Sequence, residues 1–391
     1  MNVRNSSTLS GAARPRAPGL FHSLGAFPLA VLVPSMLVLG LMVLGVLGLS
    51  GCEARKGRPA MEKTPATGSV ALNGAGATFP FPLYSKWMSE YNKINPDVRI
   101  NYQSIGSGGG IRQVTAGTVD FGASDAPMDA DSLAKAGGAI EQIPTTLGAV
   151  AVSYNLPGVE KLKLDGETLS QIFHGKIVRW NDAKLASINP DLKLPDQGIT
   201  VIYRSDGSGT TSVFTDYLGA VSSVWKAEVG VGKSVRWPVG LGAKGNEGVT
   251  GQLKVSPGAI GYIEIAYALQ NHLQIAAIKN QAGEFVIPDV ASVTAAAAEV
   301  TLPDSMTASI VNAAGPGAYP ISSFTYLLVY REAKDRRKGE ALARFLWWAL
   351  HDGQKFSGDL HYAPLPAAVT AKVEARLRAL TFGGKILLTG T

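Results

Sequence analysis

Apolar residues fall along this chain in three regimes. From Leu24 to Leu49 they form a nearly unbroken run. Between Glu53 and Ser69 they almost vanish among Lys, Arg, Pro, Thr and Glu, and from Val70 onward short segments rich in Val, Ile, Tyr and Phe alternate with helical patterns. That alternation predicts an α/β architecture whose folded part begins near Val70. Strands are predicted at 98–102, 119–122, 199–203 and 259–263. Two more, 149–155 and 324–331, are apolar enough to be buried on both faces and are read as links between domains. Helical periodicity is clearest after Pro82, where Leu83, Trp87, Tyr91 and Ile94 recur at helical spacing, with Pro80 and Pro82 suiting the helix start. Leu342, Phe345, Leu346 and Ala349 form a second stripe, and Val369, Val373, Leu377 and Leu380 a third. All three are read as core.

The first regime is an export signal. It carries Arg4, Arg14 and Arg16 and no acidic residue before the apolar run, which ends in Leu49-Ser50-Gly51-Cys52. Small residues before a cysteine resemble the lipobox of bacterial lipoproteins, so 1–51 reads as a lipoprotein signal peptide and Cys52 as the lipidated residue. The run is also long enough, at more than about 20 residues, for a membrane anchor. Pro28, Pro34 and the Leu-Ser-Gly-Cys order favour the cleaved signal. Residues 52–69 then form a flexible tether, and in either reading the remaining chain faces outward. Cys52 is the only cysteine, so no internal disulfide forms and core burial must supply stability. With 46% hydrophobic and 17% charged residues in 391, the chain can bury such a core. The net charge of +6 falls to +3 once the three leader arginines are removed (33 basic against 30 acidic). That is too small a surplus for a nucleic-acid-binding surface.

Three glycine-rich turns stand before helical segments: Gly74-Ala75-Gly76-Ala77-Thr78-Phe79, Gly106-Ser107-Gly108-Gly109-Gly110 and Asp206-Gly207-Ser208-Gly209-Thr210-Thr211. The first free N–H groups of a helix carry partial positive charge, and glycine lets backbone approach an anion's oxygens. Thr78, Ser107, Ser208 and Thr210 add hydroxyls, each of which alone reads as an ordinary N-cap. Three such turns in one chain shift the reading toward an anion site. None is a P-loop, so nucleotide hydrolysis has no support. Arg204 ends a predicted strand just before the third turn, placed for a charge-assisted contact with an oxyanion, with Asp206 able to hold its guanidinium.

At these residues the chain resembles the phosphate-binding protein of the bacterial high-affinity phosphate ABC transporter. The resemblance rests on Gly74 to Pro80, Val119 to Pro127, Gly175-Lys176-Ile177-Val178-Arg179-Trp180-Asn181-Asp182, Asp206 to Thr210 and Pro257 to Tyr262, in order and at family-like spacing from about Leu72 to Val369. It implies a type II periplasmic-binding-protein fold: two α/β lobes around a ligand cleft, 70–152 with 321–391 as one lobe and 153–320 as the other. It also implies phosphate contacts at Thr78, Phe79, Ser107, Asp125, Arg204, Ser208, Gly209 and Thr210, with Phe79 and Gly209 acting through backbone N–H. Gly108 stands where some members carry serine.

Asp125 faces an anion in this reading. A carboxylate is tolerable there only if it accepts a hydrogen bond from a proton on the ligand, which phosphate has near neutral pH and sulfate lacks. The bland alternative makes Asp125 a turn residue before Ala126-Pro127. The resemblance further implies permease subunits with their ATPase as partners, a membrane attachment through lipid, an extracytoplasmic location and no enzymatic activity; the protein is expected to act as a monomer. No cofactor is called for. His174, His272, His351 and His361 lack metal-ligand spacing and are read as surface or cap residues. Arg179 and Trp180 are read as packing the second lobe, with a contact to the permease as the alternative. A secreted phosphatase lacks its catalysts: the nearest approach to a nucleophile elbow, Gly122-Ala123-Ser124-Asp125-Ala126, ends in alanine with no evident base. A surface-signalling lipoprotein is the other alternative.

Overall fold

The computed structural model describes residues 68–137 and 139–389. The signal 1–51, Cys52 and the tether as far as residue 67 lie outside the described residues. The first strand starts at Val70, where the polar stretch gives way to alternating burial.

Nine strands make the main sheet: β1 (Val70–Gly76), β2 (Val98–Ser104), β3 (Phe121–Ser124), β4 (Ile140–Asn155), β5 (Thr200–Arg204), β6 (Leu241–Ala243), β7 (Ala259–Glu264), β8 (Gln274–Ile275) and β9 (Ser322–Tyr330). Their order is β2-β1-β3-β9-β4-β7-β5-β6, with β8 pairing β4 off this path. The 16-residue β4 joins two halves. Its first part runs antiparallel to β9, and from Val150 onward it runs antiparallel to β7. Each half carries parallel pairs, β1 with β2 and β3 on one side, β5 with β6 and β7 on the other.

The sequence reading saw only the second part of β4, because Pro144, Thr145 and Thr146 break the strand-like pattern. The ladder to β9 shifts there: Thr325 pairs with Thr146 and Tyr326 with Pro144. This irregularity absorbs a residue that has no N–H to donate. It also leaves the Thr145 hydroxyl bonded to Tyr84 Oη (2.6 Å) and to Thr325 O (3.2 Å). The segment 324–331, expected as a second link, lies as β9 within one half. The chain enters it past Val150, whose N–H donates to Ile321 O and whose carbonyl accepts from Tyr319 Oη.

The principal helices are α1 (Phe81–Ile94), α2 (Ser107–Thr115), α3 (Gly209–Val221), α4 (Gly245–Val255), α5 (Ile265–Gln270), α6 (Arg336–Leu350) and α7 (Ala367–Arg378). Leu83, Trp87 and Tyr91 of α1 are buried as expected, but Ile94 is 62% exposed because the helix ends at that residue and leaves its packing face. The stripes of α6 and α7 are buried, with Leu380 just beyond the end of α7. Trp180 is fully buried, donating to Gly258 O at 3.0 Å.

The first glycine-rich turn is corrected by the structure, since Gly74 and Gly76 are part of β1. Gly76 has φ +151°, and a Cβ there would lie 2.1 Å from Ala123 O. These glycines let β1 pack against β3 and α2; the turn that follows is Ala77–Pro80.

Candidate functional site

The site lies where the ends of β1, β2, β3 and β5 meet the starts of α2, α3 and α4. Each strand delivers its residue by the same device, a strand running out into a loop or helix start. β1 ends before Thr78 and Phe79, β2 before Ser107 at the first turn of α2, β3 before Asp125, and β5 in Arg204, followed by Ser208 as the N-cap of α3. All eight predicted residues lie here and are buried.

Hydrogen bonds tie them together across the two halves. Ser107 Oγ accepts from the N–H groups of Gly209 (3.0 Å) and Asp125 (3.2 Å) and donates to Asp125 Oδ2 (3.3 Å). Gly108 N–H donates to Gly207 O at 2.8 Å, so the loops before α2 and α3 abut directly. Thr78 Oγ1 accepts from Asn246 Nδ2 (2.7 Å), which also reaches Thr210 Oγ1 (3.2 Å). Thr210 Oγ1 in turn accepts from Arg204 Nη1 (3.3 Å). Ser208 Oγ accepts from Thr211 N–H (3.0 Å), so the ordinary cap reading holds for that hydroxyl. Phe79 N–H finds no acceptor among the described residues, although the residue is fully buried. A buried donor of this kind is rare in native folds.

Two carboxylates shape the electrostatics. Asp206 takes Arg204 in a two-pronged pair, Nε to Oδ1 at 2.8 Å and Nη2 to Oδ2 at 2.6 Å, and also accepts from Gly245 N–H at 3.0 Å. Burial alone would raise its pKa, but the guanidinium and the backbone donor hold it below the ordinary carboxylate value. The pair fixes the guanidinium plane and turns Nη1 toward the start of α3. Asp125 has no such partner. Burial pushes its carboxyl up to about 7, against the opposing pull of the Thr325 hydroxyl (2.8 Å to Oδ1), the Arg204 charge and Ser107. The arrangement therefore gathers backbone donors at two helix starts, hydroxyls and one oriented guanidinium around a carboxyl that readily holds or accepts a proton. Chemically, such an arrangement suits an oxyanion that carries a proton.

Comparison with known proteins bears on this geometry. A family model described as a PBP superfamily domain matches residues 62–352. The phosphate-binding protein PstS of Xylella fastidiosa (strain Temecula1) is 46% identical over 321 residues, covering 81% of this chain and 86% of that one. The phosphate-binding protein PstS of Haemophilus influenzae is 42% identical over 316 residues, covering 80% and 94%. The chain belongs to the PstS phosphate-binding protein family. Among solved structures, a high-affinity periplasmic phosphate-binding protein (PfluDING) bound with phosphate superposes with a TM-score of 0.65 at 24% identity, covering 81% of this chain and 97% of that one. A phosphate-binding protein from Stenotrophomonas maltophilia gives 0.63 at 20% identity, covering 78% and 94%. The fold is thus the expected type II periplasmic-binding-protein fold, two α/β lobes around a cleft.

Further residues around this site are not among the eight predicted from the sequence. Asn246, fully buried at the start of α4, joins Thr78 to Thr210. Its signal was present: Gly245-Asn246-Glu247-Gly248 is another glycine-flanked helix start. Thr325 reaches Asp125 from a strand 200 residues away, and nothing local announces that contact. Among the described residues no cluster of His, Cys, Asp and Glu could hold a metal ion, and no helix is long and apolar enough to cross a membrane.

Proposed function

We propose that this chain captures inorganic phosphate between its lobes, 70–152 with 321–391 on one side and 153–320 on the other, and delivers it to the permease subunits of an ABC transporter driven by their ATPase. It works as a monomer outside the cytoplasm, held to the membrane by lipid on Cys52. Phosphate is bound by the N–H groups of Phe79 and Gly209, the hydroxyls of Thr78, Ser107, Ser208 and Thr210, and Arg204, while Asp125 accepts a hydrogen bond from its proton. The observation that carries the reading is the pairing of an oriented guanidinium and two helix starts with a buried carboxyl whose pKa is raised to about 7. The names of the relatives support it, and they describe binding, not catalysis.

Calorimetric titration of the folded part from Val70 onward, first with phosphate and then with sulfate, tests the binding claim. Phosphate binding far tighter than sulfate is expected; no heat with phosphate, or equal affinities, would overturn it. The anchor is tested by labelling cells with a radioactive fatty acid. Cys52→Ala is expected to abolish the label, and equal label in variant and parent would exclude Cys52.

A further inference from the structure

Two tyrosines outside the predicted site hold the backbone of the first loop. Tyr267, on α5, places Oη 2.6 Å from Thr78 O and 3.1 Å from Glu247 Oε1, and its single proton goes to the nearer acceptor, Thr78 O. Thr78 O belongs to the same peptide plane as Phe79 N–H, and in a trans peptide the carbonyl and the N–H point in opposite directions. Fixing that carbonyl on the α5 side therefore aims Phe79 N–H the other way. Phe81 N–H supports the same carbonyl from within the turn at 3.2 Å. The next plane is held as well, because Tyr362 Oη meets Phe79 O at 2.7 Å, the only partner of that carbonyl among the described residues.

Tyr362 Oη also lies 3.1 Å from Glu264 Oε2. A tyrosine has one proton, and a carbonyl can only accept, so the proton of Tyr362 goes to Phe79 O. The remaining contact is then satisfied by a proton from Glu264. That carboxyl is fully buried at the end of β7, Oε1 has no hydrogen-bond partner among the described residues, and no cation pairs with it among them. Burial raises its pKa well above the ordinary value, in keeping with a protonated donor. Oε2 also accepts from Ala266 N–H at 2.9 Å, which fixes the carboxyl in place. Glu264 stands opposite Val150 in the ladder, at the point where β4 passes from one half of the sheet to the other. The chain of bonds thus runs from the crossing to the loop.

We infer that Tyr267 and Tyr362 are positioning residues for phosphate capture, setting the two peptide planes on either side of Phe79 so that its N–H faces the anion, and that Glu264 acts through Tyr362. The inference rests on the reading of Phe79 N–H as a phosphate donor. Because Tyr267 and Glu264 belong to 153–320 while the loop belongs to 70–152, the same bonds link the aim of this donor to the approach of the lobes.

The test compares Tyr267→Phe, Tyr362→Phe and Glu264→Gln with the parent by phosphate calorimetry, thermal melting without phosphate, and the amide resonance of Phe79 during titration. Each tyrosine variant keeps its ring and loses the hydrogen bond to its loop carbonyl, so phosphate affinity is expected to fall roughly tenfold. The phosphate-induced shift of the Phe79 amide is expected to shrink with it. Lower melting with unchanged phosphate affinity in both tyrosine variants would show a structural role only and overturn the inference. Glu264→Gln cannot both donate to Tyr362 and accept from Ala266 N–H through one atom, so it is expected to weaken binding, and to add nothing in a Tyr362→Phe background. Additive losses would remove Glu264 from the chain. A parent that binds no phosphate would defeat the phosphate reading itself, whereas a tight parent with equally tight tyrosine variants would defeat only this inference.

Discussion

Asp125 and Asp206 flank the same site from opposite lobes, and burial leaves them in different states. Asp206 meets a guanidinium along two bonds and a backbone N–H along a third, so it stays ionised and serves to hold Arg204. Asp125 meets only hydroxyls, its own N–H donating to Ser107, and the charge of Arg204 reaches it from across the site. Partial burial with a matched charge thus gives a fixed counter-charge on one side, and full burial without a paired cation gives a proton-sensitive carboxyl on the other. A carboxyl whose charge is matched locally stays ionised, whereas one buried without a paired cation keeps its proton to higher pH.

The largest effect is expected from breaking the matched side. Arg204→Ala removes the charged donor and leaves Asp206 buried without its partner. Loss of a charge-assisted bond weakens binding by about 1.5–3 kcal/mol, or about one to two decades in Kd. Calorimetry with phosphate checks this, and a variant that binds like the parent would show the site to be elsewhere.

On the unmatched side, Asp125→Asn removes the charge that repels a ligand without a proton and offers an amide that can turn to donate. Phosphate still has Arg204, the hydroxyls and the helix starts. Sulfate is expected to gain on phosphate by roughly tenfold, the scale of one unpaired buried polar contact. The measured quantity is the ratio of the two Kd values at one pH and salt concentration. An unchanged ratio would return Asp125 to the role of a turn residue.

Gly209→Ala probes the seam between the two sides. A Cβ at this position would lie 2.5 Å from both Asp125 Oδ2 and Ser107 Oγ and 2.6 Å from Asp125 Cβ. Something must move apart, and the Ser107–Gly209 bond that joins the starts of α2 and α3 is the first in line. Phosphate affinity is expected to fall by roughly 1–2 kcal/mol, on the scale of overpacking at a tight contact, with the secondary structure seen by circular dichroism unchanged. Binding equal to the parent's would show that the seam can relax.

A separate effect, on stability and not on binding, is one of pH on the protein without phosphate. The Asp125 carboxyl is raised from 3.8 to about 7, so between these values the folded chain keeps a proton that the unfolded chain has lost. Its contribution to stability is full below about pH 4 and falls as pH rises to about 7, by up to about 1.4 kcal/mol per pH unit. Asp125→Asn lacks this slope. Melting curves of parent and variant across pH 4–8 should therefore diverge in slope below about 7 and run parallel above it; parallel curves throughout would mean that Asp125 titrates normally.

The amino-acid order alone determined the alternation of strands and helices, the core stripes and the positions of the site residues, because each of these is written in local chemistry. Period-2 and helical patterns, glycine before a helix start and an arginine at a strand end need only a few neighbours to be recognised. Motif resemblance added which of those residues are proposed to contact phosphate. Tertiary structure decided what local chemistry cannot carry. Gly74 and Gly76 proved to serve strand packing, because what a missing Cβ admits depends on the neighbour, here Phe121 and Ala123 of β3. Pro144 sits inside a long strand because the partner strand shifts register beside it. Asn246, Thr325, Tyr267 and Tyr362 enter the site from segments 168 to 283 residues distant from the loop or carboxyl they support, at sequence separations where no pattern points to a contact. The state of Asp125 is the clearest case. Whether a carboxyl is an ordinary turn residue or a proton acceptor with a pKa near 7 depends on how much water and how many cations surround it, and only the folded chain sets both.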